Sequence, residues 1–395
     1  MRRVVLTHAA RTPIGRFLGQ FKDLSAVDLG ARAVAGLIER AGVDGNEVDE
    51  VIMGCARQAG LGPNPGRQVA IAAGVAEETP ASTTNMACGS GLLSIVQAAR
   101  MVAAGEADCV VAGGMESMTK VPFLLPKARL GYRMGHQPMV DAMYQDGFVC
   151  PIADQVMGQT AEALAKRYEI SRDEQDTFAA RSQNRAEASI KDGRFTDEIV
   201  SVTVTDRKGN EAVFDADEHP RAGVTAASLG KLAPVFDADE GTVTAGNSSG
   251  ITDGAAAVLV MSEEAASARG IAPLATMDGW QASGVDPKFM GLGPVPATQR
   301  LLDRMGRGLD EYALIELNEA FAAQVISCDR ELGLDQDRLN VNGGSIALGH
   351  PIGATGCRIV VTLLHEMRRR GAARGLATLC ISGGQGLAVS FEGAS

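Results

Sequence analysis

The chain has 395 residues, of which 45% are hydrophobic and 22% charged, a composition typical of a globular protein with two domains or one doubled domain. A net charge of −11 and only 4% aromatic residues argue against binding to nucleic acid. The 7 cysteines form no CxxC pair and the 5 histidines no HxxxH pair, so we expect neither a disulfide framework nor a metal site. We find no signal peptide and no apolar run long enough for a membrane span, and we expect a cytoplasmic protein.

The first part of the chain alternates predicted strands and helices. Strands are expected at residues 4–8, 48–53 and 109–112, and helices at 25–41, from 68 and from 92 to 102. Residues 79–84 are polar and are interpreted as a turn. This alternation predicts a mostly parallel sheet that is covered by helices on both faces.

The alternation breaks after residue 117, where proline and glycine punctuate a long segment. Within it, helices are predicted at 154–168 and 173–191, and Ser171 and Glu174 form a capping box before the second. Strands return at 255–261 and 313–317. We therefore divide the chain into an N-terminal half (1–117 and 250–271), an insertion (118–249) and a C-terminal half (272–395).

An internal repeat supports the division into two halves. Residues 37–42 resemble residues 301–306, which lie 264 positions later, and Gly105 corresponds to Gly371. Agreement across a helix, a turn and a strand makes duplication a better explanation than chance. An offset of about 264 from Cys88 lands beside His350, so these two residues are predicted to occupy equivalent turns. Ligands of open α/β sheets bind beyond the carboxyl ends of the strands.

Cys88 lies in the glycine-flanked stretch 85–91 (NMACGSG), directly before a predicted helix. The glycines permit close approach of another chain or a ligand, and the partial positive charge of a helix N-terminus favours a thiolate. The alternative is an apolar cysteine that packs between a strand and a helix, which is the commoner situation for a free cysteine.

Three further segments carry residues of the kinds used in nucleophilic catalysis: 318–321 (NEAF), 342–353 (NGGSIALGHPIG) and 380–386 (CISGGQG). Each has a simpler interpretation as well. Asn318 could cap a helix that begins at Glu319, His350 could be a solvated loop residue in a run too glycine-rich for a helix or strand interior, and Cys380 could be a core residue.

In this order the segments identify a resemblance that covers the whole chain. Together with residues 113–118 (GGMESM), they resemble the thiolase family, and specifically its acetyl-CoA acetyltransferases. The resemblance implies an α/β fold in which two pseudo-twofold related halves form a five-layer αβαβα core with an inserted loop subdomain. It also implies reversible Claisen condensation of an acyl-CoA with acetyl-CoA, which is thiolysis of a 3-ketoacyl-CoA in reverse.

The resemblance assigns roles that agree with the chemistry of these side chains. Cys88 would be the nucleophile that carries the acyl group, and His350 the base that takes its proton. Cys380 would remove or return the α-proton. Asn318, through a water, and an N–H of His350 would stabilise the enolate-like oxygen, while the backbone N–H groups of Cys88 and Ser382 would form a second oxyanion hole.

The resemblance also implies substrate contacts and an assembly. No tightly bound cofactor is expected, since the coenzyme A thioesters are substrates. Arg221, Ser228 and Ser249 would contact coenzyme A, and the pantetheine and acyl channel would be lined by Met157, Phe236, Ala245, Met290, Ala320 and Phe321. The basic loop with Lys127, Arg129 and Arg133 lies where the family has a tetramer contact, so we expect a homotetramer built from dimers.

The chain departs from the family pattern at two places. Val156 stands where acetoacetyl-CoA-specific members carry histidine, so a medium-chain or broad-range 3-ketoacyl-CoA thiolase of β-oxidation remains the alternative to a short-chain enzyme. Ser382 stands where glycine is common, although its backbone N–H is retained.

Three other functions fit the sequence less well than a thiolase does. A ketoacyl-synthase-like condensing enzyme does not need the second acid–base cysteine, Cys380. A catalytically silent acyl-CoA or lipid carrier should lack some of the four reactive residues. A nucleotide-binding enzyme is disfavoured because residues 89–94 match GxGxxG only in part and no GxxxxGK[ST] occurs.

Overall fold

The computed structural model describes residues 2–206 and 208–394. The first part of the chain forms the predicted alternation of strands and helices. In chain order these elements are β1 (Val4–Arg11), α1 (Ala26–Ala41), β2 (Glu50–Gly54), α2 (Pro65–Ala72), β3 (Ala81–Thr84), α3 (Ser90–Ala104) and β4 (Cys109–Ser117). The turn predicted at 79–84 is wrong, because β3 pairs in parallel with β2.

The insertion follows β4 and is largely helical. It contains α4 (Met157–Arg167), α5 (Arg172–Lys191), the hairpin of β5 (Val202–Thr205) and β6 (Glu211–Phe214), and α6 (Ala226–Leu229). The capping box predicted at Ser171 and Glu174 is confirmed: each residue's side chain bonds the other's backbone N–H. The chain then returns to the main sheet as β7 (Thr252–Ser262), which is followed by α7 (Glu263–Ala268).

The last part of the chain repeats the arrangement of the first. Its elements are β8 (Ala275–Gly284), α8 (Pro294–Met305), β9 (Leu314–Leu317), α9 (Ala322–Leu332), α10 (Ser345–Leu348), α11 (Ile352–Arg370), β10 (Arg374–Ile381) and β11 (Gln385–Gly393). Two-residue strands occur at Gly15–Arg16, Phe123–Leu124, Val140–Asp141, Val149–Cys150 and Gln155–Val156, and single helical turns at Gly45–Glu47, Met118–Lys120, Ala128–Leu130, Tyr144–Phe148, Pro287–Leu292 and Leu309–Glu311.

The strand order confirms two related halves. The N-terminal half has the order β3-β2-β4-β7-β1, and the C-terminal half repeats it as β9-β10-β11-β8, with a single bridge from Ile315 to Leu339 in the place of a fifth strand. The halves join into one ten-stranded sheet where β1 pairs with β8. The equivalent helices α1 and α8 both end at a left-handed glycine, Gly42 and Gly306, with φ angles of 61° and 63°.

The sheet is mixed, so the prediction of a mostly parallel sheet is wrong. The β2–β3, β2–β4 and β9–β10 pairs are parallel, whereas β7 and β11 are antiparallel to both of their main neighbours. The reason lies in the connections. The strand β11 follows β10 through a tight turn, and β7 follows the long insertion, so neither arrives by a helical crossover.

The packing forms five layers. Helices α3 and α11 lie between the two halves of the sheet and share one apolar core with strands of both. Helices α1 and α2 cover the outer face of the N-terminal half, and α8 and α9 cover that of the C-terminal half. The central helical layer is therefore the place where equivalent parts of the two halves meet.

The segment Ala87–Ala104, which contains α3, corrects the expectation that no run is long enough to span a membrane. With 18 residues and a mean hydropathy of 1.3, this segment is long and apolar enough to cross a membrane by length and composition alone. Its apolar character is explained by its position, because α3 packs against α11 and both halves of the sheet in the core.

Candidate active site

Glycines let the first turns of α3 and α11 touch. A Cβ on Gly91 would lie 2.9 Å from the amide nitrogen of Cys357 and 2.9 Å from the carbonyl oxygen of Gly353, and one on Gly356 would lie 2.5 Å from the amide nitrogen of Leu92. These glycines, at the start of each helix, therefore let α3 and α11 approach each other closely. Cys88 and His350 each stand two residues before one of these helices, so the contact brings both to one place.

Cys88 sits half-buried in a strained turn. Ala87, directly before it, has a φ of 46°, which is uncommon for a residue with a Cβ. The backbone N–H groups of Ser382 and of Cys88 itself bond the sulfur, and Arg57 lies close enough for its charge to act on it. Burial nevertheless raises the pKa of Cys88 above its ordinary value, with these groups opposing the increase. The raised pKa favours a neutral thiol at Cys88 rather than the thiolate that its position before a helix would favour.

His350 is buried, at 8% exposure, and its tautomer follows from its partners. Its Nδ1 lies 2.7 Å from the hydroxyl of Thr355, which itself donates to the carbonyl oxygen of Pro351 at 3.0 Å. The hydroxyl has one proton, so it must accept from Nδ1–H, which leaves Nε2 with a free lone pair. Burial, and then the charges of Arg358 and Arg57, lower the pKa of His350 to about 3, so the ring is neutral.

The backbone of His350 is already engaged, because its N–H donates to the carbonyl oxygen of Gly250 at 3.0 Å. The N–H predicted to face an oxyanion must therefore belong to the ring, and Nε2 acquires a proton only after accepting one. The segment around His350 also contains the single helical turn α10, although its glycines predicted neither helix nor strand interior.

Asn318 is oriented by two further side chains. The guanidinium of Arg358 donates to the hydroxyl of Ser345 at 3.1 Å, so that hydroxyl donates its own proton to Asn318 Oδ1 at 2.6 Å. The amide nitrogen of Asn318 is buried, and it has no hydrogen-bond partner within residues 2–206 and 208–394. Asn318 does not cap a helix at Glu319, since α9 begins at Ala322.

Cys380 ends β10 and is 1% exposed. Burial raises the pKa of Cys380 well above its ordinary value, and the thiols of Cys88 and Cys328 lie near enough to raise it further. Ser382 lies in the turn after β10 and is not one of the described residues that have a positive φ angle. This position therefore accepts a side chain, although glycine is common here in the family. The two cysteines and the Ser382 N–H therefore share one site.

The predicted substrate contacts fall into two groups beside this site. Cys380 belongs to an apolar cluster that includes Met290, Ala320 and Phe321, with Met157 and Phe236 packed against it. A cavity of about 300 Å³ is lined by Arg221, Ser228 and Ala245 among others. Ser249 donates its backbone N–H to Ala320 at 3.0 Å and joins the apolar group.

Four residues of the site were missed by sequence reasoning. Thr355 orients His350, Ser345 orients Asn318, and Arg57 lies beside Cys88. The fourth, Glu116, is fully buried and accepts N–H bonds from Ala56, Arg57 and Gly353, which ties the two halves together behind the nucleophile. Of these four, Glu116 alone carried a sequence signal, because it belongs to the segment 113–118 that resembles the family.

No group of three or more His, Cys, Asp or Glu side chains in residues 2–206 and 208–394 is placed to hold a metal ion. The chemistry available at this site is that of two thiols, an imidazole, an amide and backbone N–H groups. This set suits acyl transfer through a cysteine nucleophile.

Comparison with known proteins agrees with this chemistry. The family model "Thiolase, N-terminal domain" matches residues 4–264 and "Thiolase, C-terminal domain" matches residues 271–393. The chain is 52% identical over 391 residues to the acetyl-CoA acetyltransferase of Pseudomonas aeruginosa and 52% identical over 393 residues to that of Escherichia coli, covering 99% of each chain in both cases.

Two solved structures have the same fold along their whole length. The acetyl-CoA acetyltransferase of Bacillus anthracis superposes with a TM-score of 0.97 at 44% identity, covering 100% of this chain and 99% of the other. Human mitochondrial 3-ketoacyl-CoA thiolase does so with a TM-score of 0.95 at 40% identity and the same coverage. The five-layer fold and the two family domains together show that this chain is an acyltransferase that belongs to the thiolase family.

Proposed function

We propose that the protein is an acetyl-CoA acetyltransferase that condenses an acyl-CoA with acetyl-CoA, and cleaves the 3-ketoacyl-CoA in reverse, through an acyl-Cys88 intermediate. The observation that carries the proposal is the neutral His350, whose Nε2 lone pair is fixed by the bond to Thr355 at the turn equivalent to that of Cys88. The relatives named above as acetyl-CoA acetyltransferases support the same activity.

The first half-reaction acylates Cys88. His350 takes the thiol proton as the sulfur attacks the thioester carbonyl, and the N–H groups of Cys88 and Ser382 stabilise the oxyanion that forms. The bond between the carbonyl carbon and the coenzyme A sulfur then breaks. Cys380, whose raised pKa keeps it a neutral thiol, protonates the leaving sulfur and becomes a thiolate.

The second half-reaction forms the carbon–carbon bond. The Cys380 thiolate removes an α-proton from acetyl-CoA, and a high pKa makes it a strong base for that step. Asn318 Nδ2, through a water, and the Nε2–H that His350 has gained stabilise the enolate oxygen. The carbanion attacks the acyl-Cys88 carbonyl, and Cys88 leaves with the proton returned by His350.

We propose that the insertion, 118–249, binds coenzyme A and contributes to assembly, between halves formed by 1–117 with 250–271 and by 272–395. Arg221 supplies a cation for the phosphates of coenzyme A, and the cavity that it shares with Ser228 and Ala245 supports this assignment. The apolar cluster around Cys380 would receive the pantetheine arm and the reacting acetyl group.

We propose a short acyl chain as the preferred substrate, with a medium or broad chain range as the alternative. Phe236 and Phe321 stand edge to face at 6.4 Å in the channel wall, which narrows the space beside Cys380.

We further propose a cytoplasmic homotetramer acting in fatty acid metabolism. The loop from 123 to 139 supports the tetramer, since it exposes Leu130 and Met134 at 88% and 93%.

The test is acylation of the intact protein by acetyl-CoA, followed by mass spectrometry. We expect one added acetyl group in the wild type and none in Cys88→Ala. Cys380→Ser should still acylate but lose thiolysis, and full thiolysis by that variant would contradict the mechanism. A series of 3-ketoacyl-CoA substrates of rising length then decides between the short-chain and the broad-range enzyme.

A further inference from the structure

Arg57 is a cation that the proposed mechanism does not use. It follows β2 in a loop whose backbone is held by Glu116, and it is only half-buried. Among the described residues, its buried Nε has no hydrogen-bond partner, and the one bond of its guanidinium runs from Nη1 to the carbonyl oxygen of Ala56 at 3.3 Å. A guanidinium presents five donors, so most of the donor capacity of Arg57 is unused.

No carboxylate forms an ion pair with this cation among the residues that the structure describes. Each of the ion pairs found there has another arginine or a lysine as its cation. The charge of Arg57 opposes the increase that burial causes in the pKa of Glu116, but the two side chains form no ion pair, and Glu116 bonds three backbone N–H groups. An unpaired guanidinium in partly desolvated surroundings is costly, which makes it a recognition site for an anion.

The guanidinium lies against the apolar wall beside the nucleophile. A Cβ on Gly147 would lie 2.9 Å from Nε and 2.9 Å from Nη2, so the group packs directly on that glycine. The neighbouring Phe148 belongs to an apolar cluster that also contains Cys88 and Met118. This cluster is separate from the one around Cys380, in which the pantetheine arm and the acetyl group are placed.

The acyl group carried by Cys88 therefore has an apolar surface to follow and a cation at its edge. A plain alkyl chain would leave the guanidinium unpaired and would bury it further. A chain that ends in a carboxylate would pair with it bidentately and leave its methylene groups on Met118 and Phe148.

We propose that Arg57 binds a carboxylate at the far end of the acyl group, so that acyl-CoA thioesters of short dicarboxylic acids are substrates of this site. The proposal rests on the proposed thiolase function. The step itself is unchanged: the acyl–sulfur bond to coenzyme A breaks, that to Cys88 forms, and the distal carboxylate only binds.

The test compares pairs of acyl donors that differ in the distal group alone: succinyl-CoA with butyryl-CoA, and glutaryl-CoA with valeryl-CoA. Condensation with acetyl-CoA is measured for each, and selectivity is the ratio of kcat/KM for the two members of a pair. The ratio cancels any general effect of Arg57 on the reactivity of Cys88. We expect the wild type to favour the carboxylate donor of at least one pair by on the order of 10- to 100-fold, the range for a charge-assisted bond.

Arg57→Gln should abolish this selectivity, and Arg57→Lys should retain part of it because the charge remains. Arg67→Gln is the matched control, since Arg67 bonds the backbone of residues 77 and 79 away from the site, and it should keep the wild-type ratio. A wild type that prefers the neutral donor in both pairs would overturn the proposal, as would an Arg57→Gln variant with an unchanged ratio. Failure of acetyl-CoA to acylate Cys88 would instead refute the thiolase function itself.

Discussion

The chemistry of this site depends on the protonation states of Cys88 and His350, and burial is the largest influence on both. A helix N-terminus and an arginine favour a thiolate at Cys88, yet burial is the largest influence and raises the pKa of Cys88. The same burial keeps His350 neutral and able to accept a proton. The pair therefore rests as thiol and imidazole, and the nucleophile forms only as substrate arrives.

This resting state predicts how Cys88 reacts with iodoacetamide. The rate constant should rise with pH through neutrality and still be rising at pH 9, because only the small thiolate fraction reacts. Alkylation is followed by intact mass, and Cys88→Ala gives the background from the other cysteines, all of which are buried. A rate that is flat between about pH 6 and pH 8 would mean a preformed thiolate.

Substitution of Thr355 tests whether its hydroxyl fixes the tautomer of His350. Thr355→Val keeps the shape but removes the acceptor of His350 Nδ1–H, so the ring loses its fixed tautomer. We expect kcat to fall by roughly a hundredfold, the scale of a lost general base, with KM little changed. Thr355→Ser restores the hydroxyl and should recover most of the activity. If Thr355→Ser lost as much kcat as Thr355→Val, or if Thr355→Val lowered only the stability of the protein, Thr355 would have a packing role instead.

At the scale of the elements, the site depends on the crossing of α3 and α11. Cys88 and His350 each precede one of these helices, and glycines at the first turns set the separation of the helices. The offset of the repeat predicted that the two turns are equivalent. It could not predict that α3 and α11 touch, since the glycines of 89–91 were consistent with a ligand as well as with a neighbouring helix.

Gly91→Ala tests the crossing. The new Cβ would meet backbone atoms of α11 at 2.9 Å, which cannot move aside like a flexible side chain, so the helices must separate. We expect a lower Tm and loss of acylation, because Cys88 moves relative to His350. Gly371→Ala is the control: its φ of 62° imposes strain of about 1 kcal/mol, but nothing lies within 4 Å of the new Cβ. If both variants keep full acylation, the spacing of the helices is not critical.

For the whole molecule, much of the architecture could be predicted from local patterns. The repeat predicted two halves, and apolar periodicity located most of their strands and helices to within a few residues. The features that local patterns did not predict involve residues whose partners are distant in the sequence. Arg11, which lies beyond the strand predicted at residues 4–8, is the fully buried end of β1 and pairs with Glu198 and Asp217 of the insertion. The residues next to Arg11 in the sequence do not indicate partners that lie 187 and 206 positions away.

The insertion also exposes an apolar surface that predicts how the protein assembles. Leu130 and Met134 are among the most exposed large apolar side chains, on a loop that also carries Lys127, Arg129 and Arg133. In a monomer these apolar side chains would remain in contact with water, whereas a contact between dimers would bury them. We expect the wild type to be a tetramer by light scattering and the double variant Leu130→Glu, Met134→Glu to be a dimer, because paired carboxylates at a buried contact are strongly unfavourable.

Val213 provides the matched control for that experiment. It is 63% exposed on β6, outside the loop, so Val213→Glu adds charge to the same insertion without touching the predicted contact. This variant should remain a tetramer. The double variant should still acylate Cys88, since the site is built within one chain. A wild type that is already a dimer, or a double variant that stays tetrameric, would place the contact elsewhere on the molecule.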